Sequence, residues 1–256
     1  MVEIKLTDNV GSADDRLVYS DDKELAMILS IYDDLVVEVE KSGQKLSPEQ
    51  LVEIKQKFEW DYLSPNTAYS LIDLVELPKE IQLKLSYEEG YLNKKLVHKQ
   101  KQENVLLSEY EKFGKSVAFR GYFDWAELDS DHLSDHVDGI KLFEIIRQGM
   151  LASFHINNLK YDSAVALTNL KIDYFKYVET FTPFVVHIIP VNKADGGSMF
   201  ILFGVYQGGQ LVAKGYLGTY TFRSKSVFQK KRQELIEGVL NIAKKENWPI
   251  ITEKTI

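Results

Sequence analysis

The stretch Asp131-His132-Leu133-Ser134-Asp135-His136-Val137-Asp138-Gly139-Ile140-Lys141-Leu142-Phe143-Glu144-Ile145-Ile146-Arg147-Gln148 decides how the rest of the chain reads. It starts as a loop crowded with aspartates and histidines, passes through one glycine, and continues as a helix that is apolar on nearly every side. A helix of that kind is buried. Yet it carries Glu144 and Arg147 one turn apart, and ionised groups in such a place are costly unless they pair and hydrogen-bond. The expectation is a core helix with a charged pair on one side.

Outward from this helix the apolar spacing is that of strands. Residues 94–113 and 115–127 precede it with Gly114 as a turn, and residues 166–178 and 182–191 follow it. Asp195-Gly196-Gly197 and Gln207-Gly208-Gly209-Gln210 then punctuate two further strands, residues 199–206 and 211–222, which suits consecutive antiparallel hairpins. His98 and His187 fall in expected strands, as structural histidines. An amphipathic helix over residues 226–247 closes the chain, with Phe228, Leu235, Val239 and Ile242 on one side and Gln229-Lys230-Lys231-Arg232 on another. A long antiparallel sheet with one apolar helix inserted after its first strands is an α+β domain whose sheet wraps the helix, the hotdog arrangement.

Residues 1–92 read differently. A helix from Ser20 or Asp21 to about Lys41, another begun by Ser47-Pro48-Glu49-Gln50, a third from Ser64-Pro65 and a fourth beyond Pro78 make this an expected helical region. It carries 20 acidic and 9 basic side chains, whereas the remainder of the chain is net +4. The charge split puts a boundary near residue 92, between an acidic helical region (1–92) and a single hotdog domain with its terminal helix (93–256). A net charge of −7 without a basic stripe argues against nucleic-acid binding. No signal peptide or membrane-length apolar run is present, so the expected protein is soluble and cytoplasmic, with no membrane partner. With no cysteine, disulfides, thiolate metal sites and cysteine nucleophiles drop out.

The residues Val97-His98, Glu103-Asn104-Val105-Leu106-Leu107-Ser108, Asp131-His132, Asp135-His136-Val137-Asp138-Gly139-Ile140 and Leu142-Phe143-Glu144-Ile145-Ile146-Arg147-Gln148 resemble the A-factor biosynthesis (AfsA-type) hotdog proteins over about residues 93–222. The resemblance implies acyl chemistry: coupling of a β-ketoacyl thioester, carried on an acyl-carrier protein or coenzyme A, with a dihydroxyacetone-phosphate-like acceptor, towards butyrolactone, butenolide or furan signals. It implies no further cofactor. It also places the family's proposed catalytic glutamate and arginine at Glu144 and Arg147. The helix signature occurs once here, where the family usually has two hotdog halves, so a homodimer is expected to complete the site. Asp138 stands where the family pattern has proline.

Each candidate has two readings. Glu144 is a general acid or base tuned by burial and Arg147, which holds a phosphate or carboxylate, or the two form a structural ion pair. His132 and His136 are acid–base partners of Glu144, or cap and solvate a loop. Asp129, Asp131 and Asp135 beside them invite a metal, but a loop setting argues for none. Gly139 and Gln148 are assigned to substrate binding, with Gln148 also able to satisfy backbone. Two other functions stay open: a catalytically silent acyl-binding scaffold, and a β-hydroxyacyl dehydratase or thioesterase on the same fold.

Overall fold

A computed structural model of the protein describes residues 2–6, 16–19, 25, 29, 36–41, 44–56, 69, 77–123, 136–160, 162–191 and 197–250. The chain opens with four short strands, β1 (Val2–Leu6), β2 (Arg16–Tyr19), β3 (Val36–Lys41) and β4 (Gln44–Lys45), paired antiparallel in the order β2-β1-β3-β4. Two helices follow, α1 (Pro48–Gln56) and α2 (Lys79–Ser86). The N-terminal region is therefore only partly helical. The expected helix from residue 20 to Lys41 keeps a helical conformation at the buried Leu25 and Leu29, but its end, Val36-Val37-Glu38-Val39-Glu40-Lys41, is strand β3. Three β-branched valines with alternating glutamates favour a pleated strand over a helix, and β1 supplies the partner. The start of α1 is as read: Ser47 Oγ accepts from Gln50 N at 3.3 Å and Gln50 Oε1 accepts from Ser47 N at 2.8 Å, a reciprocal capping box. Of the third expected helix only Tyr69 lies among the described residues, in helical conformation.

Two 3₁₀ turns (Lys94–Val97 and Gln102–Asn104) lead into β5 (Leu107–Phe113) and β6 (Ser116–Gly121). Residues 94–106 are thus turns where a strand was expected. Asn93 accepts from Lys95 N at 3.0 Å and caps the first of them, and His98 ends it in the left-handed region (φ 56). Then come α3 (Gly139–Ile156), β7 (Ala164–Tyr174), β8 (Phe184–Pro190), β9 (Gly197–Gln207), β10 (Gln210–Phe222) and α4 (Lys225–Lys245). The six strands form one antiparallel sheet in the order β5-β6-β8-β9-β10-β7. Gly208 and Gly209, both at positive φ (59 and 75), make the two-residue turn between β9 and β10.

α3 lies on the inner face of this sheet, giving the hotdog arrangement. Phe119, Val186, Ile188, Phe203 and Leu217 from the strands meet Leu142, Ile145, Ile146 and Phe154 of the helix in one buried cluster. Burying each of the phenylalanines contributes about 2–3 kcal/mol. The helix comes close at Gly149, where a Cβ would stand 3.0 Å from Ile188 Cγ1, so only glycine fits without a shift of that isoleucine. The outer face is covered as well. Val185, Ile189, Leu202 and Tyr206 are buried on it, α2 packs there through Ile81 and Leu85, and Leu77 N donates to Tyr206 Oη at 3.3 Å. Further along, Tyr69 bonds Asp173, stands edge-on to Tyr216 and receives Lys171 and Lys214 over its ring. This double cover explains why Phe184-Val185-Val186-His187-Ile188-Ile189 lacks alternation: a strand buried on both faces needs apolar residues at nearly every position.

Candidate functional site

One side of α3 faces the turns of residues 92–106 instead of the sheet, and that side carries Glu144, Arg147, Gln148 and His155. The segment opposite has no regular partner for its backbone, so helix side chains serve it. Gln148, fully buried, accepts from Leu106 N at 2.9 Å and donates from Nε2 to Asn104 O at 2.9 Å and to Glu144 Oε1 at 3.0 Å. It is the peg that docks the segment onto the helix.

Glu144 is the centre of the arrangement. Arg147 grips it with two parallel bonds, Nε to Oε2 at 2.6 Å and Nη2 to Oε1 at 2.7 Å, the short fork geometry of a charge-assisted pair. Lys99 Nζ joins Arg147 and Gln148 as a further donor, at 3.1 Å from Oε1. Burial alone would raise the pKa of Glu144, and it is the largest single influence. The hydrogen bond and charge of Arg147, then Gln148 and Lys99, together outweigh it and hold the carboxyl below the ordinary carboxylate value. Glu144 is accordingly an anion at neutral pH. It can orient cations and accept a hydrogen bond, but it has no proton to donate.

Two cations share this one carboxylate, so the cluster keeps a positive surplus. The side chains of Glu144 and Lys99 are 11% and 16% exposed while that of Arg147 is 30% exposed, so the guanidinium is the edge that meets solvent. Its Nη1 has no partner among the described residues and is free to take a phosphate or carboxylate oxygen.

The other candidates are not gathered here. His136 pairs as a single bridge with Glu179 and packs its ring on Tyr177 at 4.7 Å. It lines a separate groove of about 770 Å³ with Gly139, the first residue of α3, and Tyr174, Phe175 and Tyr177. His132, with Asp129, Asp131 and Asp135, lies outside the described residues. His187 is fully buried in the sheet, and desolvation pushes its pKa down to about 3.

Sequence reasoning missed Lys99 and the pairing of His98 with His155, whose Nε2 atoms are 2.7 Å apart. His98 is not in a strand: it ends a 3₁₀ turn. His155 carried a usable signal, since it falls about two and three helical turns after Gln148 and Glu144 on the same helical face.

Comparison with known proteins places this unit. The family model of the A-factor biosynthesis hotdog domain matches residues 90–223. Similar solved structures are distant: AziG of S. sahachiroi is 16% identical, over 46% of this chain and 91% of its own, at a TM-score of 0.37. A mutant of the phenylacetic acid degradation protein PaaI from Thermus thermophilus is 16% identical over 41% and 84%, at 0.32, and a probable thioesterase from Bartonella henselae 11% over 41% and 88%, at 0.34. No curated protein matches the sequence significantly. The family match runs from Gly90 to Arg223, spanning the docked turns, all six strands and the helix with Glu144 and Arg147; the chain belongs to the A-factor biosynthesis hotdog family.

Proposed function

We propose that the protein is an acyl-transferring enzyme that joins a β-ketoacyl thioester, presented by an acyl-carrier protein or coenzyme A, to a phosphate-bearing hydroxyl acceptor of the dihydroxyacetone phosphate kind. The observation that carries this reading is the Glu144, Arg147 and Lys99 cluster: one pinned carboxylate, two cations, and a guanidinium edge open to solvent. A surplus positive charge in a half-buried wall suits a phosphate, and the unused Nη1 of Arg147 supplies a directed donor. In this scheme Glu144 positions Arg147 and Lys99. The groove at the start of α3, walled by Tyr174, Phe175 and Tyr177, offers apolar surface for the acyl chain.

The active form is proposed to be a homodimer. β7 ends the sheet, with no strand on its outer edge among the described residues and five consecutive exposed residues, Leu167 to Lys171, the sort of edge that invites a second strand. Incubating the protein with β-ketoacyl thioesters of several lengths and dihydroxyacetone phosphate tests the reading: ester formation with release of free thiol is expected, and Arg147→Lys should raise the KM for the phosphate acceptor more than tenfold.

The saturation of Glu144 by its partners also favours a second reading, an acyl-binding protein without turnover. In that case thioesters bind but no thiol is released, and Glu144→Ala changes stability alone.

A further inference from the structure

Acyl transfer needs a destination for the proton of the acceptor hydroxyl, and both oxygens of Glu144 are already held by Arg147, Gln148 and Lys99. A neutral lone pair stands on the same helix face, about two turns beyond Arg147. His155 Nδ1 lies 2.9 Å from Leu159 O. A carbonyl only accepts, so Nδ1 carries the proton and Nε2 of the neutral ring is an acceptor. His98 Nε2 lies 2.7 Å from that acceptor, with the two rings tilted by 52°. His98 must then donate, which fixes its proton on Nε2 and leaves Nδ1 as an unshared lone pair with no partner among the described residues.

The backbone holds this orientation. His98 sits at φ 56, with its N–H to Lys95 O at 3.4 Å and the next N–H, of Lys99, to Lys94 O at 3.0 Å, closing the turn. Lys99, the adjoining residue, is bonded to Glu144, so the histidine pair and the ion cluster are two ends of one short segment laid on α3. His98 is an exposed residue whose Nε2 is held against His155. Desolvation by burial, then His155, Lys225 and Arg147, hold its pKa at about 4, so the ring stays neutral at neutral pH. Burial also keeps His155 below the ordinary histidine value.

We infer that His98 is the general base of the acyl transfer, with His155 as the positioning residue that sets its tautomer. This rests on the acyl-transfer reading. Nδ1 of His98 removes the acceptor's hydroxyl proton as that oxygen forms a bond to the thioester carbonyl carbon. The tetrahedral species collapses by breaking the C–S bond, and His98 returns the same proton to the departing thiolate. Ester and free thiol result, and both histidines end neutral.

Two measurements on the full chain test this. Long-range ¹H–¹⁵N correlation of the histidine rings at pH 7 is expected to show His155 as the Nδ1–H tautomer and His98 as the Nε2–H tautomer; the reverse at His98, or a charged ring, overturns the assignment without any variant or substrate. In turnover, His98→Asn is apt because asparagine tolerates a positive φ. It is expected to lower kcat roughly 10²- to 10⁴-fold with little change in KM, and added imidazole should restore part of the rate. His155→Phe should lower kcat and leave His98 a mixture of tautomers. If the wild type turns over and His98→Asn matches it, the assignment fails and the acyl-transfer reading stands. If the wild type turns over no thioester with dihydroxyacetone phosphate at any chain length, the acyl-transfer reading fails and the assignment falls with it.

Discussion

Gln148 makes three hydrogen bonds from a position with no access to water, two of them to the backbone of a segment that has no ladder of its own. Its replacement by leucine keeps the volume and strands Leu106 N and Asn104 O; each unsatisfied buried group costs about 1–3 kcal/mol, so Gln148→Leu should destabilise by about 2–5 kcal/mol in urea unfolding. Glu144 gives a prediction with a pH signature. Its folded pKa lies below the ordinary value of 4.5, so its contribution is fully present above that value and disappears as pH falls through the folded pKa. Glu144→Gln should therefore cost about 1–3 kcal/mol at pH 7, and the gap between variant and wild type should close on acidification below about pH 4.5. A gap that stays constant with pH would mean that the carboxylate's charge is not what Arg147 and Lys99 recognise. His187 acts in the same sense, but in a higher pH window. With its pKa pushed to about 3 by burial, the unfolded chain takes up a proton first, and stability falls by roughly 1 kcal/mol for each pH unit below 6.5. Equilibrium unfolding of the wild type at pH 7, 6 and 5 should show that slope, and His187→Asn should lessen it.

At the scale of elements, the readable parts were those whose signal is local. The helix with Glu144 and Arg147, the β9–β10 turn at Gly208-Gly209, the capping box at Ser47 and Gln50, and α4 all announce themselves within a few residues. The unreadable parts depend on partners far away in sequence. β3 exists because β1, more than 30 residues earlier, pairs with it, as in Ile4 opposite Val39. The turns of residues 94–106 exist because Gln148 and Glu144, over 40 residues later, satisfy them, and His98 meets His155 across 57 residues. No periodicity within either segment encodes such a meeting. α4 is local and yet weakly anchored. Ser224 caps it, accepting from Val227 N at 3.3 Å, and Phe228 stacks on Phe222 at 5.1 Å, but Leu235, Val239 and Ile242 are 61%, 66% and 63% exposed. Leu235→Gln with Val239→Gln should change unfolding free energy by less than about 0.5 kcal/mol and raise the concentration at which light scattering sets in, because exposed apolar stripes promote association rather than folding.

For the whole molecule, the break in charge near residue 92 does not coincide with a break in packing. α2 and Leu77 lie before that point and cover Val185, Ile189 and Tyr206 of the sheet, and Tyr69 reaches Asp173 on β7. A chain beginning at Asn93 would therefore expose the outer face of β8 and β9, a contiguous apolar surface, and is expected to aggregate on expression where the full chain of 256 residues remains dispersed. A stable, monodisperse 93–256 fragment would show that the acidic region is an accessory. Tyr69, Leu77 and α2 of the acidic first third thus form part of the outer layer of the sheet.

β8, closed in by α3 on one side and by the N-terminal layer on the other, is paired along both edges, to β6 and β9. Solvent deuterium has no partial opening through which to reach its amides. Those protons should exchange at the rate of global unfolding alone, which makes the strand from Phe184 to Pro190 an internal clock for how often the entire molecule comes apart.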